Sequence, residues 1–316
     1  MRSVSLAESN QAPVVKENAV PPQPGRGELL IRVCAAAVMP TEIFWYPTTH
    51  RKNGEKRTGA IPGHEFAGVV TAIGEDVGSL EIGREVFGMN DWFSDGAMAE
   101  YCVAPFFAVA PKPPRLSYVE AASVPISALT AWQGLFDRAK LRPGERVLVH
   151  GGAGAVGIFA IQLARLHGAR VIATTSSPNA ELVTSLGAEQ VIDYREQRFE
   201  ECVNEVDVVF DTVGGETLER SWGILRPGGR MVTIVSTAED SRDPRVKQAF
   251  FIVEPNQKQL VEIGDLLDDG RLRTVVDAVV PLWRAPEAYA GKEPRHHRGK
   301  VVVDVRITRT EVERQN

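Results

Sequence analysis

The stretch from Arg146 to Thr175, RVLVHGGAGAVGIFAIQLARLHGARVIATT, most constrains what this chain can fold into. Val147, Leu148 and Val149 form a short unbroken apolar run, the pattern of a parallel strand buried on both faces. Gly152, Gly154 and Gly157 follow as G-x-G-x-x-G: the first glycine permits a tight turn, the second lets backbone approach a pyrophosphate, and the third lets a helix pack on the strand. Val156, Phe159, Ala160 and Leu163 recur at i, i+3, i+4 and i+7, which gives that helix an apolar face. His167-Gly168 ends it, and Arg170 to Thr175 reads as the next strand. A strand, glycine turn, helix and strand in this order predict a dinucleotide cradle, with the turn and first helical residues Gly152, Gly154, Ala155, Val156 and Gly157 around the phosphates. The competing reading is a glycine-rich turn that serves packing alone.

With 316 residues the chain has room for about two domains. Residues 1–117 are dense in Gly and Pro, with short apolar runs at Leu29 to Val33, Gly68 to Ile73 and Ala99 to Val103, which suits a barrel-like, strand-rich unit. Ser117, followed by Glu120 three residues later, carries a capping-box signature for a helical stretch reaching toward Lys140. Residues 118–253 then alternate strands and helices, as in a doubly wound parallel sheet: a helix at Asn179 to Leu186, strands at Val191 to Asp193 and Val206 to Phe210, a helix to about Leu225, and a strand at Arg230 to Val235. Residues 254–316 hold an amphipathic helix at Leu260 to Leu267 and strands at Val275 to Val280 and Lys300 to Val305, without a further βαβ series, and are expected to rejoin the first unit. Arg295-His296-His297-Arg298 reads as a solvated basic loop.

A net charge of −5 argues against a general nucleic-acid or acidic-membrane surface. Cys34, Cys102 and Cys202 are scattered without C-x-x-C spacing, so a reducing, cytoplasmic setting is expected, and no apolar run has the length of a signal peptide core or a membrane span.

Several segments together resemble the medium-chain dehydrogenase/reductase superfamily, and within it the zinc-independent quinone oxidoreductase branch. They are Pro62-Gly63-His64-Glu65-Phe66-Ala67-Gly68, Asp95 to Tyr101, Ala121 to Trp132, the glycine motif, Asp211 to Gly215, Arg226 to Arg230, and Gly299 to Val303. The likeness covers nearly the whole chain in order. It implies an α/β protein with a Rossmann doubly wound sheet and a GroES-like β-barrel-type catalytic domain, a nicotinamide cofactor in the cleft between them, and a homodimer or homotetramer. It also implies that Thr130, Val213, Ser236, Phe251 and Val253 lie along the nicotinamide side of the cleft, although each of them suits plain packing as well.

His64 stands where zinc-dependent relatives place a ligand, but the positions of their cysteines hold Met39 and a residue near Ile126. A thioether is neutral and isoleucine has no donor, so no metal is expected. His64 is instead read as a buried, hydrogen-bonded residue, or as a direct substrate contact. An NAD-preferring unit carries Asp or Glu about 20 residues past its glycines. Here the chain reads Thr174-Thr175-Ser176-Ser177, whose hydroxyls, with Thr175 and Ser176 foremost, are compatible with a 2′-phosphate. Tyr194 matches a family residue flanking that phosphate, so NADPH is expected over NADH; Asn179, where close relatives often carry lysine, weakens the choice, and Arg195 is either a substitute or a solvated cation.

Without a metal to polarise an alcohol or ketone, hydride transfer to a conjugated acceptor is favoured. The expected substrate is therefore a quinone or an α,β-unsaturated carbonyl compound, an enoyl thioester being the near alternative. Thr41 and Glu42 resemble the family's polar pair before the substrate pocket, and Tyr46 is either a proton donor or, with Phe44 and Trp45, an aromatic wall. A different class of role, a non-catalytic NADPH-binding or RNA-binding crystallin-like protein, is set against the acidic balance and the lack of a basic stripe. No nucleic-acid or membrane partner is expected.

Overall fold

A computed structural model describes residues 1–7, 12–78, 80–239 and 241–308. In chain order its strands are β1 (Ser3–Leu6), β2 (Pro13–Lys16), β3 (Glu28–Val38), β4 (Glu65–Ile73), β5 (Glu85–Met89), β6 (Tyr101–Pro105) and β7 (Val109–Pro111). They continue with β8 (Arg146–Val149), β9 (Arg170–Thr175), β10 (Gln190–Asp193), β11 (Val206–Asp211), β12 (Leu225–Thr233), β13 (Val276–Pro281) and β14 (Lys300–Asp304).

The parallel sheet has the order β10-β9-β8-β11-β12. The chain starts at its centre, winds outward through β9 and β10, then returns to build β11 and β12 on the other side. The order therefore reverses between β8 and β11, and a crevice opens at the carboxyl ends of those two strands. Val147, Leu148 and Val149 are fully buried there, as an apolar strand covered on both faces must be.

The second sheet runs β13-β14-β3-β4-β5-β7, with β6 also on β3. β14 pairs antiparallel with β3, Val301 opposite Val38 and Val303 opposite Ala36, so the last described strand closes onto one of the first. A single apolar cluster joins the two sheets, with Ala67 and Phe87 on one side and Phe159 and Phe210 on the other. No helix among the described residues is long and apolar enough to cross a membrane.

The largest departures from sequence expectation lie where periodicity is weak. β3 runs on to Val38 rather than stopping at Val33, because Cys34 to Val38 are buried without alternation and give no period-2 signal. Pro227-Gly228-Gly229 sits within β12 as an irregularity between Leu225 and Arg230 rather than before the strand. The Ser117–Glu120 capping box forms with both reciprocal bonds, but its helix stops at Ala122 and a new one, Pro125–Trp132, starts on a proline.

Candidate active site

The crevice at the carboxyl ends of β8 and β11 is a cleft of about 700 Å³. Of the turn residues expected around the phosphates, Gly154 lines this cleft, whereas Gly152, Ala155, Val156 and Gly157 are outside its lining, and the roles of the glycines are redistributed. The left-handed backbone belongs to Gly151 (φ 71°), one residue before the motif's first glycine. Gly152 is instead crowded, since an added Cβ would lie 3.0 Å from the Ala173 Cβ. At Gly157 an added Cβ would lie 2.9 Å from the Gly152 Cα and closer still to the Gly151 carbonyl oxygen, so only glycine lets the helix Gly157–Leu166 start this near the strand. No side chain caps that helix. The Ile158 and Phe159 N–H groups donate to the Gly154 and Val156 carbonyls of the turn, both at 3.1 Å, so what the helix offers an anion is the positive end of its dipole, and a cradle that excludes a Cβ fits a pyrophosphate.

Of the four hydroxyls Thr174 to Ser177, only Thr175 and Ser176 line the cleft. Successive side chains of a strand point to opposite faces, which turns Thr174 inward. Its hydroxyl contacts His150 Nδ1 at 3.1 Å, and the other ring nitrogen of His150 meets Ser221 Oγ at 2.9 Å. Burial holds His150 down at about 4, so it is a neutral bridge between β9 and the helix Gly215–Ser221. Ser177 is committed elsewhere: both its N–H and its hydroxyl donate to Asp193. Those bonds and the Arg195 N–H hold the Asp193 carboxyl below its usual range.

Tyr194 and Val213, both more than half exposed, also line the cleft. Val213 is held out by Asp211, a fully buried carboxylate that accepts from the Val213 and Gly214 N–H groups and from Thr233 Oγ1. The remaining wall was not foreseen. Arg295, His296, His297 and Arg298, expected as a solvated loop, line the same cleft together with Asn179 and Arg195. Among the described residues the lining contains no Asp or Glu. The one available signal was Gly299, directly ahead of a strand that has to pass the crevice on its way back to the second sheet.

The other expected site residues lie outside this lining. Thr130 is buried and donates to the Ile126 carbonyl at 2.6 Å. Phe251 and Val253 are packed in the core with Phe210 and Leu129. Ser236 opens a 3-10 turn, Ser236–Ala238, but its side chain lies outside the described residues. Thr41 is exposed, and Tyr46 is 56% exposed with its ring stacked on His50 at 4.5 Å.

Glu42, by contrast, belongs to a buried polar group beneath the barrel sheet. Glu65 forms a buried ion pair with Lys300 and accepts the Ile126 N–H at 3.0 Å, at the start of the helix Pro125–Trp132. Three segments distant in the chain thus meet at one carboxylate. Glu42, wholly buried, accepts the Tyr289 hydroxyl. His64 is buried against Trp92, ring centroids 5.3 Å apart. Neither of its ring nitrogens has a hydrogen-bond partner among the described residues, contrary to the hydrogen-bonded role expected for it. Met39 and Ile126 offer no good zinc ligand, and among the described residues no group of three or more His, Cys, Asp or Glu converges on a metal-sized point.

Burial pushes the Glu42 carboxyl up to about 7, against the lowering effect of the Tyr289 hydroxyl. A carboxyl raised in the folded state binds its proton more tightly there than in the unfolded chain. The stability it contributes is present below its ordinary value of about 4.5 and is lost as pH rises to about 7. Burial lowers His64 to about 4, which has the opposite slope: stability is lost as pH falls below 6.5. The two partly cancel in wild type. Glu42→Gln removes one of them, so its stability relative to wild type should rise by up to about 1.4 kcal/mol per pH unit between roughly pH 5 and 7. Chemical denaturation at a series of pH values checks this, and a pH-independent difference would refute it.

Residues 25–114 match the alcohol dehydrogenase GroES-like domain family, and residues 186–303 the zinc-binding dehydrogenase family. A 2-methylene-furan-3-one reductase of Solanum lycopersicum is 33% identical over 315 residues, covering 96% of this chain and 79% of the relative. The chain belongs to the medium-chain dehydrogenase/reductase superfamily. A chloroplastic NADPH-dependent alkenal/one oxidoreductase of Arabidopsis thaliana is 32% identical, with 92% and 75% of the two chains covered. The solved quinone oxidoreductase from Coxiella burnetii superposes with a TM-score of 0.85 at 30% identity, over 97% of this chain and 99% of that one. Membership of this superfamily makes the chain an oxidoreductase of a nicotinamide-using family.

Proposed function

We propose that this chain is an NADPH-dependent, zinc-independent reductase of quinones or α,β-unsaturated carbonyl compounds. The observation that carries the cofactor half is the wall of the cleft, where Thr175, Ser176, Tyr194 and several basic residues stand together without a carboxylate. In an NAD-preferring site an acid at that wall accepts from the ribose hydroxyls and repels a 2′-phosphate; hydroxyls and cations do the reverse. The substrate half is supported by the alkenal/one, furanone and quinone reductases to which the chain is similar.

When bound, NADPH supplies the hydride. The chain's own part is to bind and orient. The glycine turn and the first turn of the helix Gly157–Leu166 hold the pyrophosphate, and Val213, held out by Asp211, provides an apolar face beside it. Residues 118–253 form the cofactor unit on this reading, and residues 1–117 with 254–316 the unit that closes the cleft. Conjugated acceptors suit a site without a Lewis acid, because positioning and a few hydrogen bonds suffice for charge that is already delocalised. Thr41 and Tyr46 are the exposed hydroxyls of the region read as the substrate side. Glu42, fully buried and bonded to Tyr289, acts there as a structural acid.

The test is to mix the pure protein with NADPH, then with NADH, and a panel of quinones, enones, enals and an enoyl thioester, following loss of the reduced cofactor. Turnover with NADPH, surviving chelation, is the expected result. No oxidation across the panel despite bound cofactor would overturn the substrate half. Faster turnover with NADH would overturn the cofactor half, and loss of activity on chelation that zinc restores would overturn zinc independence.

A further inference from the structure

We propose that the 2′-phosphate of the cofactor is read by the returning loop Arg295–Arg298, with Arg298 as its main cation, and that Asn179 positions that loop. This rests on the NADPH reading above and adds to it a loop that lies more than 100 positions from the glycine motif.

The loop is fixed to the cleft at three places. At its start, Arg295 pairs with Asp277 at 3.5 Å, and the same carboxylate accepts the His296 N–H at 2.9 Å. In the middle, Asn179 uses its amide nitrogen on two backbone carbonyls, those of His296 and His297, at 3.4 Å each. At its end, the Gly299 N–H donates to the Ala153 carbonyl at 2.8 Å, which ties the loop to the glycine turn itself. Gly299 has φ 55°, and an added Cβ there would overlap the Val275 carbonyl oxygen, so this close passage needs glycine.

Asn179 occupies the position where a lysine would bring its own charge. Here it is buried and brings the backbone of a charged loop instead. Of the cations so delivered, Arg295 is already neutralised by Asp277, whereas Arg298 lines the cleft, is half-buried, and has no ion-pair partner among the described residues. A guanidinium in a partly enclosed cleft with no acid in its wall is suited to bind a phosphate dianion through two parallel N–H donors. Arg195, also in the lining, is more exposed and lies 5.8 Å over the Tyr194 ring, so it contributes less.

Adenine nucleotides separate this inference from the reading on which it rests. Calorimetric titration of the full chain with 2′,5′-ADP and with 5′-AMP measures the 2′-phosphate preference directly, without turnover. Wild type is expected to bind 2′,5′-ADP at least tenfold more tightly. Arg298→Gln should bring the ratio close to one while leaving 5′-AMP binding unchanged, and Arg195→Gln should keep most of it. Asn179→Ala, which removes no charge, should lower the ratio several-fold by loosening the loop. If wild type shows no preference, the NADPH reading fails and this inference with it. A wild-type preference that survives Arg298→Gln overturns the loop assignment alone. Equal loss of both nucleotides in Arg298→Gln also overturns it, and an unchanged ratio in Asn179→Ala overturns the positioning role.

Discussion

Glu65→Leu is expected to destabilise the protein by about 3–5 kcal/mol, because the Lys300 amine, which burial already lowers to about 7 against the raising effect of Glu42, loses its ion-pair partner. The substitution also removes the acceptor of the Ile126 N–H, an end group of the helix Pro125–Trp132 that no side chain of its own segment caps. The two losses fall on one carboxylate that holds β4, β14 and that helix together. Replacing both charges, as in Glu65→Leu with Lys300→Met, should recover most of the loss, since an apolar pair of similar volume avoids the desolvation of two ions. Thermal and urea denaturation of the single and double variants measure the difference. A single variant within about 1 kcal/mol of wild type would mean that the pair is not formed in the folded protein.

Gly157→Ala should nearly abolish nucleotide binding while leaving most of the fold in place. The added methyl has backbone on two sides, at Gly151 and Gly152, and backbone cannot rotate away as a long side chain can. The helix Gly157–Leu166 must move off β8, at a cost of about 1–3 kcal/mol as overpacking usually runs. The larger effect is on the cradle. A displaced helix no longer points the positive end of its dipole at the phosphates, and nucleotide affinity should fall about a hundredfold, or roughly 2.7 kcal/mol. Gly223→Ala is the control, since an added Cβ there meets nothing within 4 Å, and it should leave both stability and affinity nearly unchanged. Equal affinity in Gly157→Ala and wild type would remove the glycine turn from the binding site.

Much of the fold is legible in the sequence because its signals are local. The buried run Val147 to Val149, the capping box at Ser117 and Glu120, and the glycine spacing each span a few residues, over which strand period, cap geometry and steric room are set by the residues themselves. The site is less legible. Four hydroxyls in a row at Thr174 to Ser177 are chemically alike, yet the strand's alternation turns Thr174 toward His150, and Asp193 takes Ser177. Glu42 sits in a polar-looking motif but is the most buried of its neighbours, a fact that depends on Tyr289 arriving from the far end of the chain.

The sequence by itself determined the α/β class, the glycine turn between β8 and its helix, and the poverty of zinc ligands around His64, for each of these follows from residue type and near-neighbour spacing. Only the tertiary structure decided which distant groups meet: Glu65 with Lys300 and with the Ile126 amide, Asn179 with the backbone at His296 and His297, and a basic loop set against Thr175 and Ser176. The physical reason is that a side chain's chemistry fixes what it is able to bind. Which partner it finds is fixed by the closure of β14 onto β3, which carries the end of the chain past the crevice that its middle had built.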